Sequence, residues 1–225
     1  MPDFIQMYTI GRLGNQMLQY AFLKKYAETN GLTLQVPERC GLREVFEIPE
    51  LPLINNAPMI KQGKFEFGIK NVMVKEYFQD KRYTDCYDRD YCRQIFKPKF
   101  PIAKSKNVVA HQRMGDYRRH KNIFCLISPK SFHRAFEKYG YDPLNVFWVR
   151  EGDNRPFIED FASMVGAEAL FRANSTFSLW AHVLADDTQK CYSPIITGVG
   201  DMDCEFTDNG AEPIVAGGDR FDFAK

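Results

Sequence analysis

Apolar positions along the chain fall into short runs whose period changes repeatedly. Residues 4–10, "FIQMYTI", are mostly apolar and β-compatible. "GRLGN" (11–15) follows as a turn with two glycines. In "QMLQYAFLKKYAET" (16–29), Met17, Tyr20, Ala21 and Lys24 lie on one line and Leu18, Ala21 and Phe22 on the next, which predicts a helix. Asn15 is its expected N-cap and Asn30-Gly31 its stop. "LTLQV" (32–36) completes a βαβ unit. Residues 37–71, rich in Pro, Asn and Gly, read mostly as loops. A strand is expected over 71–78, and a helix over 84–96 with Thr84 or Asp85 as its cap. "KPKFPIAKSK" (97–106), with two prolines and four lysines, reads as a linker.

The alternation then restarts. A strand is predicted over 107–111. A helix follows over 128–140, with Ser128 as cap, Pro129 at its first position and Gly140 at its end. "NVFWVR" (145–150) reads as a strand. Residues 156–171 read as one helix running into a strand end near Leu170–Ala173, and a further helix starts at Asn174–Thr176. Phe177, Trp180 and Leu184 sit on it at core spacing. Beyond Ser193-Pro194 no pattern is clear. Strands alternating with helices in both halves predict an α/β fold divided into 1–104 and 105–225.

Composition narrows the function. With 225 residues, 44% of them hydrophobic and 14% aromatic, the chain builds a sizeable core and is not expected to be disordered. A net charge of +1 leaves no global basic field, so no nucleic-acid partner is expected. No apolar stretch reaches membrane-spanning length and no signal-peptide pattern opens the chain. The six cysteines form no C-x-x-C pair, which argues against zinc and for reduced thiols in a cytoplasm-like compartment.

The charge that matters is local. In "VVAHQRMGDYRRH" (108–120) an apolar strand ends in His111, Arg113, Gly115 and Asp116, followed by Arg118 and Arg119, with Lys121 beyond. Gly115 is expected to allow a tight turn or a close backbone approach. In open α/β sheets ligands bind beyond the carboxyl ends of strands, and arginine grips phosphate with a planar fork. A solvated basic loop is the plain alternative. Ser175 and Thr176 stand at a helix start, where hydroxyls and free N–H groups can either cap the helix or receive an anion.

Three stretches in order, "IGRLGNQMLQYAF" (10–22), "AHQRMGDY" (110–117) and "ANSTFSLWAHVL" (173–184), resemble the α1,2-fucosyltransferase family (glycosyltransferase family 11). They also resemble the wider group that includes α1,6- and protein O-fucosyltransferases. "EYFQDKRY" (76–83) and "CLISPKSFHRAF" (125–136) are weaker matches. The resemblance implies a GT-B-like α/β fold: two Rossmann-like halves facing a cleft, residues 1–104 on the acceptor side and 105–225 holding the nucleotide sugar. It implies an inverting, metal-independent transfer of fucose from GDP-fucose to a glycan hydroxyl, of the galactoside 2-α-L-fucosyltransferase type, with no cofactor beyond that co-substrate. The partners are then the donor and a glycan acceptor, the location cytoplasmic, and peripheral association with a membrane carrying lipid-linked glycans stays open.

Carried over residue by residue, Arg113 is the diphosphate contact and His111 a hydrogen-bonding neighbour of the nucleotide. Asp116 orients the loop or Arg113, and is a weak candidate for general base. Ser175 and Thr176 take the β-phosphate. Arg12 and Asn15 position fucose and the leaving group, with N-capping the alternative for Asn15. Asp160, and less strongly Asp153, are acidic positions that bind the base or simply sit on their elements. The chain departs from the family pattern at Met114, where a second Arg is usual, at Leu179, where a Trp is usual, and in the short interval between "NVFWVREGDN" and "PFIEDFASM", which points to a pared-down donor half. A binding remnant that no longer catalyses, or a transferase for another nucleotide sugar, are the alternatives. A metal-dependent transferase ranks below these, because neither Asp-x-Asp pair, at 88–90 or 201–203, follows an apolar strand. The lack of Gly-Lys-[Ser/Thr] excludes a P-loop.

Overall fold

The structure, a computed structural model, describes residues 2–49, 57–150 and 154–208, and the backbone of 214–215. Its contacts divide into two units, Met1–Phe100 and Pro101–Lys225. The division falls inside the lysine- and proline-rich stretch 97–106, four residues before the expected 104/105.

Unit 1 runs β1 (Phe4–Met7), α1 (Leu13–Asn30), β2 (Thr33–Gln35), α2 (Gly41–Val45), β3 (Met59–Ile60), β4 (Val72–Val74), α3 (Lys81–Thr84) and α4 (Arg89–Ile95). Its sheet is wholly parallel in the order β2-β1-β4-β3. Eleven of the 18 residues of α1 are buried, so it is a core helix, apolar on more than one face. Phe22 on α1 stacks on Phe78 at 4.4 Å and meets Tyr83 edge-on at 4.9 Å, which ties the helix to the chain after β4.

Three expectations are corrected here. The first strand stops at Met7, because the Gln19 side chain takes both backbone groups of Ile10, donating to its carbonyl at 2.8 Å and accepting from its N–H at 3.2 Å. The N-cap of α1 is Arg12, with no side-chain cap bond, and Asn15 lies inside the first turn. The helix expected over 84–96 is two helices. Asp80 caps α3 through the Arg82 N–H and Asp88 caps α4 through the Tyr91 N–H, while Asp85 closes α3. A carboxylate that captures a free N–H favours a new helix start over continuing the old one.

Unit 2 runs β5 (Val108–Gln112), α5 (Gly115–Arg119), β6 (Cys125–Ile127), α6 (Pro129–Tyr139), β7 (Val146–Arg150), α7 (Phe157–Val165), β8 (Ala169–Phe171), α8 (Thr176–Leu184), β9 (Lys190–Ile196), β10 (Gly200–Met202), β11 (Phe206–Thr207) and β12 (Ile214–Val215). The main sheet has the order β11-β9-β8-β5-β7, with β12 also on β9. β7, β5, β8 and β9 are parallel to one another. Phe132, Phe136, Phe171, Tyr192 and Phe206 form its core, Phe171 stacking on Tyr192 at 4.4 Å. Ser128 and Gly140 bound α6 as expected. Residues 156–171 resolve into α7 and β8 with Gly166 between them. The patternless tail holds the end of β9 and the strands β10 to β12, which are two or three residues long and too short to show alternation. Gly115 is the first residue of α5 and carries no positive φ, so the turn expected there is a helix start.

This order creates a switch point. The chain leaving β5 passes through α6 to β7 on one side of it. The chain leaving β8, the neighbour of β5 on the other side, passes through α8 to β9. Adjacent parallel strands whose connections diverge leave an opening at their carboxyl ends, where open α/β sheets bind ligands.

Candidate functional site

The carboxyl ends of β5 and β8 carry the charged motif. His111 belongs to β5, Arg113 follows it, and Asp116 lies in the first turn of α5. Arg113 donates to Asp116 Oδ1 at 2.5 Å and packs its guanidinium over the Tyr117 ring at 5.4 Å. Its side chain is 14% exposed. Tyr117 donates its hydroxyl to the carbonyl of Asn174 at 2.8 Å, and Asn174 Nδ2 donates to the Cys125 carbonyl at 3.2 Å. These two bonds join the β5 loop to the loop before α8. Ser175 caps α8, accepting from the Phe177 N–H at 3.3 Å, and Thr176 is the first helical residue. His111 meets the Phe177 ring edge-on at 5.9 Å. His111, Arg113, Asp116, Ser175 and Thr176 thus share the switch point.

The electrostatics are set by burial. His111 is 5% exposed, and among the described residues its Nδ1 has no hydrogen-bond partner. Burial pushes its pKa down to about 3, and the charges of Arg113 and Arg172 add to the shift. His111 is therefore neutral at physiological pH. Arg172, the residue after β8, is 1% exposed. Burial lowers its pKa, but from a value so high that the guanidinium stays charged. Two arginines thus end neighbouring strands with a neutral imidazole in the field of both.

Arg172 is absent from the candidates that the sequence suggests. The signal was present in "ALFRANS", an apolar run ending in Arg just as "VVAHQR" does. A strand end was expected near Leu170–Ala173, but as the tail of a helix over 156–171, and nothing local shows that it lies beside β5. The cations nearest in sequence to Met114, Arg118 and Arg119, do not replace the second Arg: both are exposed, and Arg118 turns back to the Met114 sulfur at 3.8 Å.

Other candidates lie elsewhere. Asp160 is in the first turn of α7, where it accepts from Arg155 Nε at 3.0 Å. Arg155 also donates to the Trp148 carbonyl at 2.7 Å, so the pair fastens α7 to β7. Asp153 lies outside the described residues. Arg12 and Asn15 belong to unit 1, in the loop between β1 and α1. Asn15 Oδ1 accepts from Gln79 Nε2 at 3.0 Å, and Gln16 donates to the Gly11 carbonyl at 3.1 Å. Gly11 has φ of +73°, and a Cβ there would collide with the Asn15 side chain, so the glycine is required. Both Asp-x-Asp pairs are engaged elsewhere. Asp88 caps α4, Asp201 pairs with Lys121 at 2.5 Å, and Asp203 binds Ser128 Oγ at 2.5 Å and Arg134 at 3.4 Å.

No protein-family profile matches the chain, and no curated protein matches it in sequence. Solved structures do. A variant of Arabidopsis thaliana FUT1 in complex with GDP aligns with a TM-score of 0.54 at 11% identity, covering 95% of this chain and 75% of that one. Fucosyltransferase NodZ from Bradyrhizobium aligns with a TM-score of 0.50 at 14% identity, covering 85% of this chain and 96% of that one. The fold is that of the solved fucosyltransferases. Two Rossmann-like units in succession, the first on a parallel sheet and the second on a sheet parallel but for β11, make it GT-B-like, as the motifs implied. Within that fucosyltransferase fold, the charged motif occupies the switch point of the second unit. Among the described residues no helix is long and apolar enough to cross a membrane.

Proposed function

We propose that the chain is a glycosyltransferase that moves fucose from GDP-fucose to a glycan hydroxyl. The observation that carries this reading is the pairing of Arg113 and Arg172 at the ends of adjacent strands, beside the start of α8, in a fold shared with fucosyltransferases, one of them solved with GDP. Breaking the bond between the anomeric carbon and the β-phosphate leaves negative charge on the leaving diphosphate and positive charge on the sugar ring. Donors fixed in advance stabilise such charge at little reorganisation cost. Arg113 is the proposed diphosphate contact, with Asp116 orienting it. Ser175, Thr176 and the N–H groups of the first turn of α8 would bind the β-phosphate, and neutral His111 would offer Nδ1 to the nucleotide. Arg172 would supply fixed positive potential in place of the second Arg lost at Met114. Such cations take the role that a metal ion plays in metal-dependent transferases, so the transfer is proposed to be metal-independent and inverting. Arg12 and Asn15 are the proposed contacts of the transferred sugar. Asp160 is proposed as a structural partner of Arg155.

An α1,2 linkage to a galactoside is the finer reading and rests on the motif resemblance. So do donor binding by unit 2, acceptor binding by unit 1, and a cytoplasmic location with peripheral contact to membranes bearing lipid-linked glycans. A second reading, a nucleotide-sugar-binding protein without turnover, is favoured by Met114 and by the short path from β7 to α7. Calorimetric titration of GDP-fucose, GDP-mannose and GDP with EDTA present, for wild type and Arg113→Ala, tests the donor site. Binding of GDP and GDP-fucose that Arg113→Ala abolishes supports it; folded wild type that binds none of them sinks it. Fucose transfer across an acceptor panel then separates enzyme from binder.

A further inference from the structure

The six cysteines are scattered from 40 to 204, yet folding brings two of them together. Cys125 opens β6 and Cys204 follows β10, and their Sγ atoms lie 3.7 Å apart, joined by a hydrogen bond across 79 positions of sequence. Both are buried in the core of unit 2, so an external disulfide reaches them only when the three-residue pairing of β10 with β6 opens locally. The approach is built by the local fold. β10 pairs in parallel with β6, Gly200 opposite Cys125 and Met202 opposite Ile127. Beyond it, the Cys204 N–H donates to Ser131 Oγ at 2.8 Å, and the Ser128 N–H donates to the Met202 carbonyl at 2.9 Å. These bonds hold residues 200–204 against β6 and the start of α6, and so fix the two sulfurs.

We propose that Cys125 and Cys204 form a redox-active dithiol, which a small-molecule disulfide closes into an intramolecular disulfide that fastens residues 200–204 to β6. The shared hydrogen bond divides the roles. It pushes the Cys125 thiol up and lowers Cys204 below the ordinary thiol value, which makes Cys204 the attacking thiolate. The Cys204 thiolate attacks one sulfur of the small disulfide, forms a mixed disulfide and expels one small thiolate, which takes up the Cys125 proton. The Cys125 thiolate then attacks Cys204 Sγ and expels the second small thiolate, which takes from water the proton that Cys204 gave up on ionising. Two protein thiols are oxidised and one small disulfide is reduced to two thiols, so atoms and electrons balance. The sulfurs must close from 3.7 Å to the bond length of about 2.05 Å, a local movement for one residue that opens a three-residue strand and another two positions past the end of one. The bond would form one hydrogen bond away from the candidate site, because the Cys125 carbonyl receives Asn174 Nδ2.

The test is incubation of the folded wild-type chain with oxidised glutathione, followed by alkylation of remaining thiols and peptide mapping that separates Cys191 from Cys204. The expected product is a Cys125–Cys204 cross-linked peptide, reversed by dithiothreitol, with Tm of the oxidised protein raised by several degrees because a long loop is closed. In Cys125→Ser the expected product is glutathione retained on Cys204. Recovery of Cys125 and Cys204 as alkylated thiols, under conditions where the more accessible Cys40 and Cys86 take up glutathione, overturns the proposal. So does a cross-link from either residue to Cys191. The wild-type map decides the matter even if the variant fails to fold.

Discussion

The two strand-end loops of the protein use polar side chains for different ends. After β1, the amides of the loop are turned inward on the backbone: Gln19 holds Ile10, Gln16 holds Gly11, and Asn15 is held by Gln79. After β5, the polar groups are charged: Arg113 is aimed by Asp116, and Arg113 and Arg172 together act on a buried, neutral His111. A motif can therefore specify the shape of a loop or the potential at its end. Substitutions should tell the two apart, since loss of shape registers in stability and loss of potential in chemistry.

The largest effect is expected at the charged loop. Arg113→Ala removes a fixed donor at the proposed leaving group, worth about 3–4 kcal/mol in the barrier, or roughly 10²–10³-fold in the rate of fucose transfer. Its partner Asp116 is partly exposed, so Tm should change far less than the rate. Steady-state transfer assays beside thermal melts check this. A fall in Tm large enough to explain the lost activity would move Arg113 into the class of shape-holding residues.

Gly11→Ala is the opposite case. It places a side chain at φ of +73° and against Asn15, so a loss on the order of 2–3 kcal/mol in urea unfolding is expected. The affinity for GDP of the protein that remains folded should stay near wild type, because the proposed nucleotide contacts all lie in unit 2. An undiminished unfolding midpoint would mean that the first loop is not held by the contacts around Gly11.

How much of this was visible in the sequence depended on the range of the interaction that fixes each element. Helices α1, α6 and α8 were legible because their apolar spacing and end signals, Ser128, Ser175 and Gly31 among them, are local. The charge at Arg113 was legible for the same reason, since it sits beside an obvious strand. Elements fixed by distant partners were not. β1 ends early because Gln19, nine residues on, takes the Ile10 backbone. Asp88 caps through the nearby Tyr91 N–H, a local signal that the helical reading of 84–96 passed over. Among the described residues β10 pairs with β6 alone, its register set by a strand some 75 positions earlier. Arg172 gains its importance from lying next to β5 across the sheet, a neighbour distant in the chain whose register no local pattern reveals.

His111 allows the charged loop to be tested through pH. Its folded pKa of about 3 lies below the ordinary 6.5. Above pH 6.5 neither the folded nor the unfolded chain holds the proton, and the residue adds no pH dependence. As pH falls from 6.5 towards 3 the unfolded chain binds a proton that the folded one refuses, so stability declines, by about 2 kcal/mol at pH 5. Denaturant titrations between pH 7 and 5 should show this slope in wild type and a shallower one in His111→Gln. Equal slopes would place the imidazole in a more hydrated setting than its burial implies.

The smallest effect probes the rival use of carboxylates. One Asp-x-Asp pair lies in each unit, and a metal-dependent transferase would need one of them free to hold an ion. Asp88 instead spends its carboxylate on the Tyr91 N–H at 2.8 Å. Asp88→Ala should therefore cost about 1 kcal/mol, the usual worth of an N-cap, seen as a small fall in Tm, with the transfer rate unchanged in EDTA and in magnesium alike. Asp203→Asn in unit 2 should likewise leave the rate unchanged, since Asp203 serves Ser128 and Arg134 at the start of α6. A collapse of transfer in either variant at unchanged Tm, restored by a divalent ion, would show that carboxylates rather than arginines neutralise the leaving group. The contrast between a loop of shape and a loop of charge would then have been drawn at the wrong residues.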